Sequence, residues 1–132
     1  MRAAADWLAV QLHFANGRVA ESDGHPVVLG EWLGVAGGPT ILVYGHYDVQ
    51  PAGDESEWTT PAFQPSIRDE RIYARGATDD KGPVFIALKV AEAFHTRDGG
   101  LPLNVRFLFE GEEEIGSRNL PAFIAAHRGE LA

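Results

Sequence analysis

Three short stretches of this 132-residue chain concentrate the side chains that can do chemistry. The first is Gly45-His46-Tyr47-Asp48. The second is Thr78-Asp79-Asp80-Lys81-Gly82. The third runs from Glu110 to Ser117 and holds four glutamates in eight residues. Imidazole and carboxylate are the donors that divalent metals take when no thiolate is on offer. The chain has no cysteine. That excludes a disulfide framework, a thiolate metal site and a cysteine nucleophile.

Each stretch also has a plain reading. In extended chain, residues i and i+2 share a face. The Asp48 carboxylate can therefore take one ring N–H of His46, fix its tautomer and leave the other nitrogen for a metal. A surface histidine beside a solvated aspartate is spelled the same way. Asp79-Asp80 stand at a helix entry, where acid is favoured by about 0.3–1 kcal/mol and aspartate caps well. One aspartate suffices for capping; a carboxylate shared by two cations accounts for the other. Glu113 and Glu114 would point to opposite faces of a regular strand. For both to reach one site the backbone must turn, which Gly111 and Gly116 permit. An acidic solvated loop is the commoner meaning of such a run. The three points together are more specific than any one. His46 and Asp79 are 33 residues apart, and Asp79 and Glu114 are 35 apart, room for one crossover unit each.

The elements that must position these residues follow from periodicity. Residues 3–14 place Trp7, Leu8, Leu12 and Phe14 at helical spacing, and Asn16-Gly17 ends the run. Residues 26–33 read as a strand and 34–39 as a turn. Residues 40–44 (TILVY) form a strongly apolar strand expected to be buried on both faces. Residues 50–65 read as a loop pinned by Trp58 and Phe63. A short hairpin follows around Asp69-Glu70. Residues 82–97 carry Phe85, Leu88, Ala91 and Phe94 at three-residue steps, a helix stopped by Asp98-Gly99-Gly100. Residues 103–109 read as a second buried strand and 120–127 as a short helix. Strands alternating with helices predict an α/β class with a mixed, mostly parallel sheet. The acid-bearing stretches fall just past predicted strands or a hairpin, where open α/β sheets place ligands.

Length predicts one domain over residues 1–132. Net charge is −8, which argues against nucleic acid or an anionic membrane as partner. No apolar run reaches about 18 residues, so no membrane span is expected. The start lacks a signal peptide's apolar centre, and cytoplasm is the default expectation.

The blocks YGHYDVQP, RGATDDKGP and EGEEEIGS resemble the three signature blocks of the carnosinase-type zinc dipeptidases. These belong to a wider family with aminoacylase, acetylornithine deacetylase and glutamate carboxypeptidase. EWTTPAFQP and LPLNVRFLFEGEEEIGS resemble the dipeptidase branch closely. The likeness covers nearly the whole chain from about Ala3. It implies a partial zinc-exopeptidase-like catalytic domain. It implies His46 as a ligand of one zinc and Asp48 as the acid that braces it. Asp79 is then the carboxylate bridging two zinc ions, with a cis bond to Asp80. Glu113 is then the general base and Glu114 a ligand of the second zinc; Glu110 and Glu112 take no catalytic role. Manganese or cobalt suits the same donors. The implied reaction is hydrolysis of a dipeptide or short peptide, in which a water bridging the two ions loses its proton to Glu113.

Family members are several times longer. The resemblance implies a further Asp ligand, a late His ligand and an inserted lid domain that often forms a homodimer interface. None has a match in these 132 residues. His13, His25, His95 and His127 read as structural or surface residues. The chain alone is therefore expected to bind zinc weakly, to turn over no peptide and to expose apolar strand edges. Two other readings stand beside the dipeptidase: an N-acyl amino acid deacylase of the same family, and a noncatalytic half-fold binding module.

Overall fold

Ala5, Leu8 and Leu12 form one apolar stripe at helical spacing, and all three are buried. The stripe seats the first helix, α1 (Arg2–Gln11), against a sheet. Trp7 falls outside it and is 49% exposed, stacked on Phe85 at 6.1 Å. Asn16 takes a left-handed φ of 50° where the chain turns away. These features come from a computed structural model that describes residues 1–131.

The sheet has four strands: β1 (Arg18–Ala20), β2 (Val27–Trp32), β3 (Thr40–His46) and β6 (Asn104–Glu110). Their order is β1-β2-β6-β3. A separate hairpin joins β4 (Ser66–Arg68) to β5 (Arg71–Tyr73). Its turn residues Asp69 and Glu70 have φ of 48° and 61°, as a tight two-residue hairpin turn requires. Helix α2 (Lys81–Asp98) lies between β5 and β6, and α3 (Leu120–Ala126) and α4 (Arg128–Leu131) follow β6.

The sheet is mixed, as expected, but parallel pairing is confined to β3 and β6. The pairs β1–β2 and β2–β6 are antiparallel. The expected predominance of parallel pairs therefore does not hold over these residues. A parallel pair needs a long crossover, and α2 supplies one such crossover here. β1, too short to show a period, was not anticipated from the sequence.

β6 is central and buried on both faces. Val105, Phe107 and Phe109 meet Leu8, Leu12, Val84, Leu88 and Ala91 of α1 and α2. Leu108 turns the other way, with Val27 and Leu29, onto Phe123 of α3. Alternation along one strand thus feeds two cores. Burying each large side chain contributes about 1.5–3 kcal/mol. The stripe of α2 is Val84, Leu88 and Ala91; Leu88 and Ala91 are buried as expected, whereas Phe85 and Phe94 stay partly in solvent and Val84 takes the first place.

Two further expectations fail. The run Thr40–Tyr44 is not buried on both faces: Ile41, Leu42 and Tyr44 are 46%, 56% and 49% exposed. β3 is the edge of the sheet among the described residues, and an apolar run reads alike for an edge and a central strand. Phe63 does not pin the 50–65 loop, being largely exposed. Ala62 is buried there instead, and its carbonyl accepts from the Arg75 N–H at 2.7 Å. Trp58 does anchor, donating to the Ala52 carbonyl at 2.8 Å under the Arg75 guanidinium. No helix of the described residues is long and apolar enough to cross a membrane.

Candidate metal centre

The parallel pairing of β3 and β6 sets His46 opposite Glu110 at the same end of the sheet. The chain runs on from both strand ends, and α2 starts beside them. His46 is buried, with 6% of its side chain exposed. Its Nδ1 lies 3.2 Å from Asp48 Oδ1 and its Nε2 lies 3.0 Å from Asp79 Oδ1. Glu113 Oε2 is 3.7 Å from the same Nε2. Asp48 does double duty, because its other oxygen accepts the Glu114 backbone N–H at 3.0 Å. One carboxylate therefore ties the end of β3 to the turn after β6.

The paired aspartates do not act as helix caps. Asp80 occupies the N-cap position of α2 but makes no capping bond with its side chain. Its Oδ2 accepts from the His46 backbone N–H at 3.2 Å. Asp79 reaches the imidazole and leaves 74% of its side chain in solvent. The peptide bond between them is cis, as expected.

The turn that Glu113 and Glu114 need is a short 3₁₀ turn, Glu113–Ile115, closed by Gly116 at φ 89°. Gly111 serves a different end, since a Cβ there would sit 2.6 Å from the Tyr47 ring. The turn splits the four glutamates into two kinds. Glu110 is buried and accepts from the Tyr44 hydroxyl at 2.7 Å and the Ser117 hydroxyl at 2.8 Å. Glu112 is buried and accepts from the His25 backbone N–H and from both the backbone and side-chain amide of Asn119. Glu113 and Glu114 turn toward the imidazole. Of the four, Glu114 alone joins a set of three possible metal donors: one ligand atom each from His46, Asp79 and Glu114 lies within 4.8 Å of the others.

The electrostatics favour positive charge at this point. Burial alone would lower the His46 pKa, but the hydrogen bond to Asp79 and the charges of Asp48, Glu113 and Asp80 raise it above its ordinary value. Acids that stabilise an imidazolium also stabilise a cation. The donor set of one imidazole nitrogen and carboxylate oxygens suits zinc, manganese or cobalt. Burial, with the charges of Asp48 and Glu112, pushes the Tyr47 phenol up to about 12. Tyr47 thus stays a donor, and its hydroxyl meets the Pro26 carbonyl at 2.5 Å. Burial, then the bond to Glu110, likewise raises Tyr44.

All five residues singled out in the sequence, His46, Asp48, Asp79, Glu113 and Glu114, therefore meet at one end of the sheet. None of His13, His25, His95 or His127 joins the three-donor set. Sequence reasoning missed Gln50, whose backbone and side chain both donate to Glu114. The signal was the i, i+2 spacing from Asp48. It also missed Tyr44 and Asn119, for which no local signal exists.

Residues 42–131 match the family described as peptidase family M20/M25/M40. A Cys-Gly metallodipeptidase of Candida albicans is 45% identical over 102 residues, which is 76% of this chain and 21% of that protein. A human Beta-Ala-His dipeptidase is 41% identical over 92 residues, 70% of this chain and 18% of that protein. An M20 family metallo-carboxypeptidase from Sulfolobus solfataricus superposes with a TM-score of 0.89 at 38% identity, covering 97% of this chain and 30% of that one. Human carnosine dipeptidase 1 superposes with a TM-score of 0.82 at 34% identity, covering 92% and 28%. The chain thus spans about a fifth of the length of the curated relatives it matches.

Proposed function

Because the chain belongs to peptidase family M20/M25/M40, we propose that it carries part of the catalytic centre of a metal-dependent hydrolase that cleaves dipeptides or short peptides. The observation that carries this reading is the meeting of His46, Asp79 and Glu114 within 4.8 Å, with Glu113 beside them. His46 would hold one zinc ion and Glu114 a second, with Asp79 shared. A divalent ion, when bound, lowers the pKa of a ligating water and polarises the scissile carbonyl.

The chain's own residues do the rest. Asp48 holds His46 Nδ1 and leaves Nε2 as the donor that faces the site. Glu113 is half-exposed and makes its closest charged contact with His46 Nε2, so its carboxylate can act on a water at the mouth. It takes the proton from the attacking water as the C–O bond forms. It then gives that proton to the leaving amine as the C–N bond breaks. The chain spans about a fifth of its curated relatives' length, and in this reading a lid, a dimer contact and the remaining ligands would belong to the portion it does not span. With three donors for two ions, the 132-residue chain alone binds zinc weakly and leaves dipeptides intact.

The test is Glu113→Gln in the whole enzyme, with Cys-Gly and β-Ala-His as substrates. Loss of hydrolysis with zinc content unchanged supports the reading. Full activity in the variant overturns the general-base assignment. Preference for N-acetyl amino acids over both dipeptides would move the enzyme to the deacylase branch.

A further inference from the structure

Glu114 is held more firmly than a solvated carboxylate needs. The Gln50 side-chain amide donates to Glu114 Oε2 at 2.7 Å and to the Glu114 carbonyl at 3.3 Å. The Gln50 backbone N–H donates to Oε1 at 3.2 Å. One residue thus grips both carboxylate oxygens and the main chain behind them. The grip is an extension of β3. His46, Asp48 and Gln50 are alternate residues of one segment, and all three reach Asp79 or the Glu113–Ile115 turn. Tyr47, between them, turns the other way to the Pro26 carbonyl.

We propose that Gln50 is a positioning residue that fixes the Glu114 carboxylate for a cation. The inference rests on reading Glu114 as a metal donor. A free glutamate loses side-chain entropy when it binds an ion. A glutamate already gripped at both oxygens has lost most of it beforehand. Each carboxylate oxygen accepts at two positions, so the grip leaves a lone pair on each for a metal. Gln50 itself is exposed, so water competes for its amide, and the effect falls at the lower end for partners of metal ligands, about tenfold in affinity.

Two readouts on the 132-residue chain test this. The first needs no metal: amide hydrogen exchange of Glu114 to Ser117, followed by NMR. Gln50→Met keeps the side-chain length and removes the donor. It should speed exchange in this turn at least about threefold, the loss of a single modest hydrogen bond, and leave β6 unchanged. The second is Co²⁺ titration followed by its visible absorbance. Gln50→Met should weaken Co²⁺ about tenfold, and should add nothing in a Glu114→Gln background. Additive losses, or unchanged exchange and unchanged affinity, overturn the proposal. If Glu114→Gln binds Co²⁺ as the parent does while the turn still loosens in Gln50→Met, the grip stands and the metal reading of Glu114 falls.

Discussion

Two pairs of glutamates lie within five residues of one another and have opposite fates. Glu110 and Glu112 are sealed from water, and their side-chain partners among the described residues are hydroxyls and amides. Glu113 and Glu114 face the imidazole; Glu114 is held by Gln50, and among the described residues Glu113 has no hydrogen-bond donor comparable to those of Glu112. The difference is one of solvation. A buried carboxylate is tolerable when donors satisfy it, and each net bond is then worth about 0.5–1.5 kcal/mol. An acid cluster left open and pointed at one histidine gains from a cation instead. The first pair shapes the turn, and the second pair uses it.

Four predictions sharpen that contrast, and the largest concerns catalysis. In the whole enzyme, Glu113→Gln should lower kcat by about 10²–10⁴-fold with zinc content unchanged. Steady-state dipeptide hydrolysis with metal analysis checks it. If Glu110→Gln cost as much, the division of labour would be wrong.

The second concerns metal and stability together. Zinc at about 100 times its dissociation constant should stabilise the chain by about 2.7 kcal/mol. Glu114→Gln and His46→Asn should remove most of that gain, and Glu112→Gln should keep it. Urea unfolding with zinc and with a chelator reads this directly.

The third reverses the order of the pairs. Without metal, Glu112→Ala should cost about 1–3 kcal/mol, because the His25 and Asn119 donors lose a buried acceptor. Glu113→Ala should stay within about 0.5 kcal/mol, as surface changes do. Equal losses from urea melts would erase the distinction.

The smallest effect is in pH. Burial would raise the Glu112 carboxyl, but the Asn119 side chain and the His25 and Asn119 backbone donors outweigh it and hold the pKa below its ordinary value. A depressed folded pKa contributes stability that is present above the unfolded value, near 4.3, and lost as pH falls through the folded one. Metal-free stability should therefore decline below about pH 4.3, and Glu112→Gln should flatten that decline. An unchanged acid limb in urea melts at stepped pH would contradict the assignment.

Much of the scaffold was legible because period and punctuation carry it. β6, the hairpin at Asp69-Glu70, the α2 stop at Gly99 and the 120–126 helix all have local causes. The edge position of β3 was not legible. It depends on which strand lies beside it, and TILVY spells a central strand equally well. The site was legible as three ordered stretches, and the structure brings them to one end of the sheet. The split among the glutamates was only half legible. Turn glycines told that Glu113 and Glu114 can leave the strand, yet the burial of Glu110 and Glu112 depends on Tyr44, Ser117 and Asn119, and Tyr44 is 66 residues away from its partner.

The central claim is that His46, Asp79 and Glu114 hold divalent cations, one at His46 and one at Glu114 with Asp79 shared. Crystals of the chain grown in millimolar zinc, with diffraction recorded on both sides of the zinc absorption edge, test it most directly. The account predicts anomalous density at two places, one at His46 Nε2 and Asp79 and one at Asp79 and Glu114, with the first absent in His46→Asn. A well-ordered site with no peak at either place, or a peak at His46 that survives His46→Asn unchanged, would contradict it.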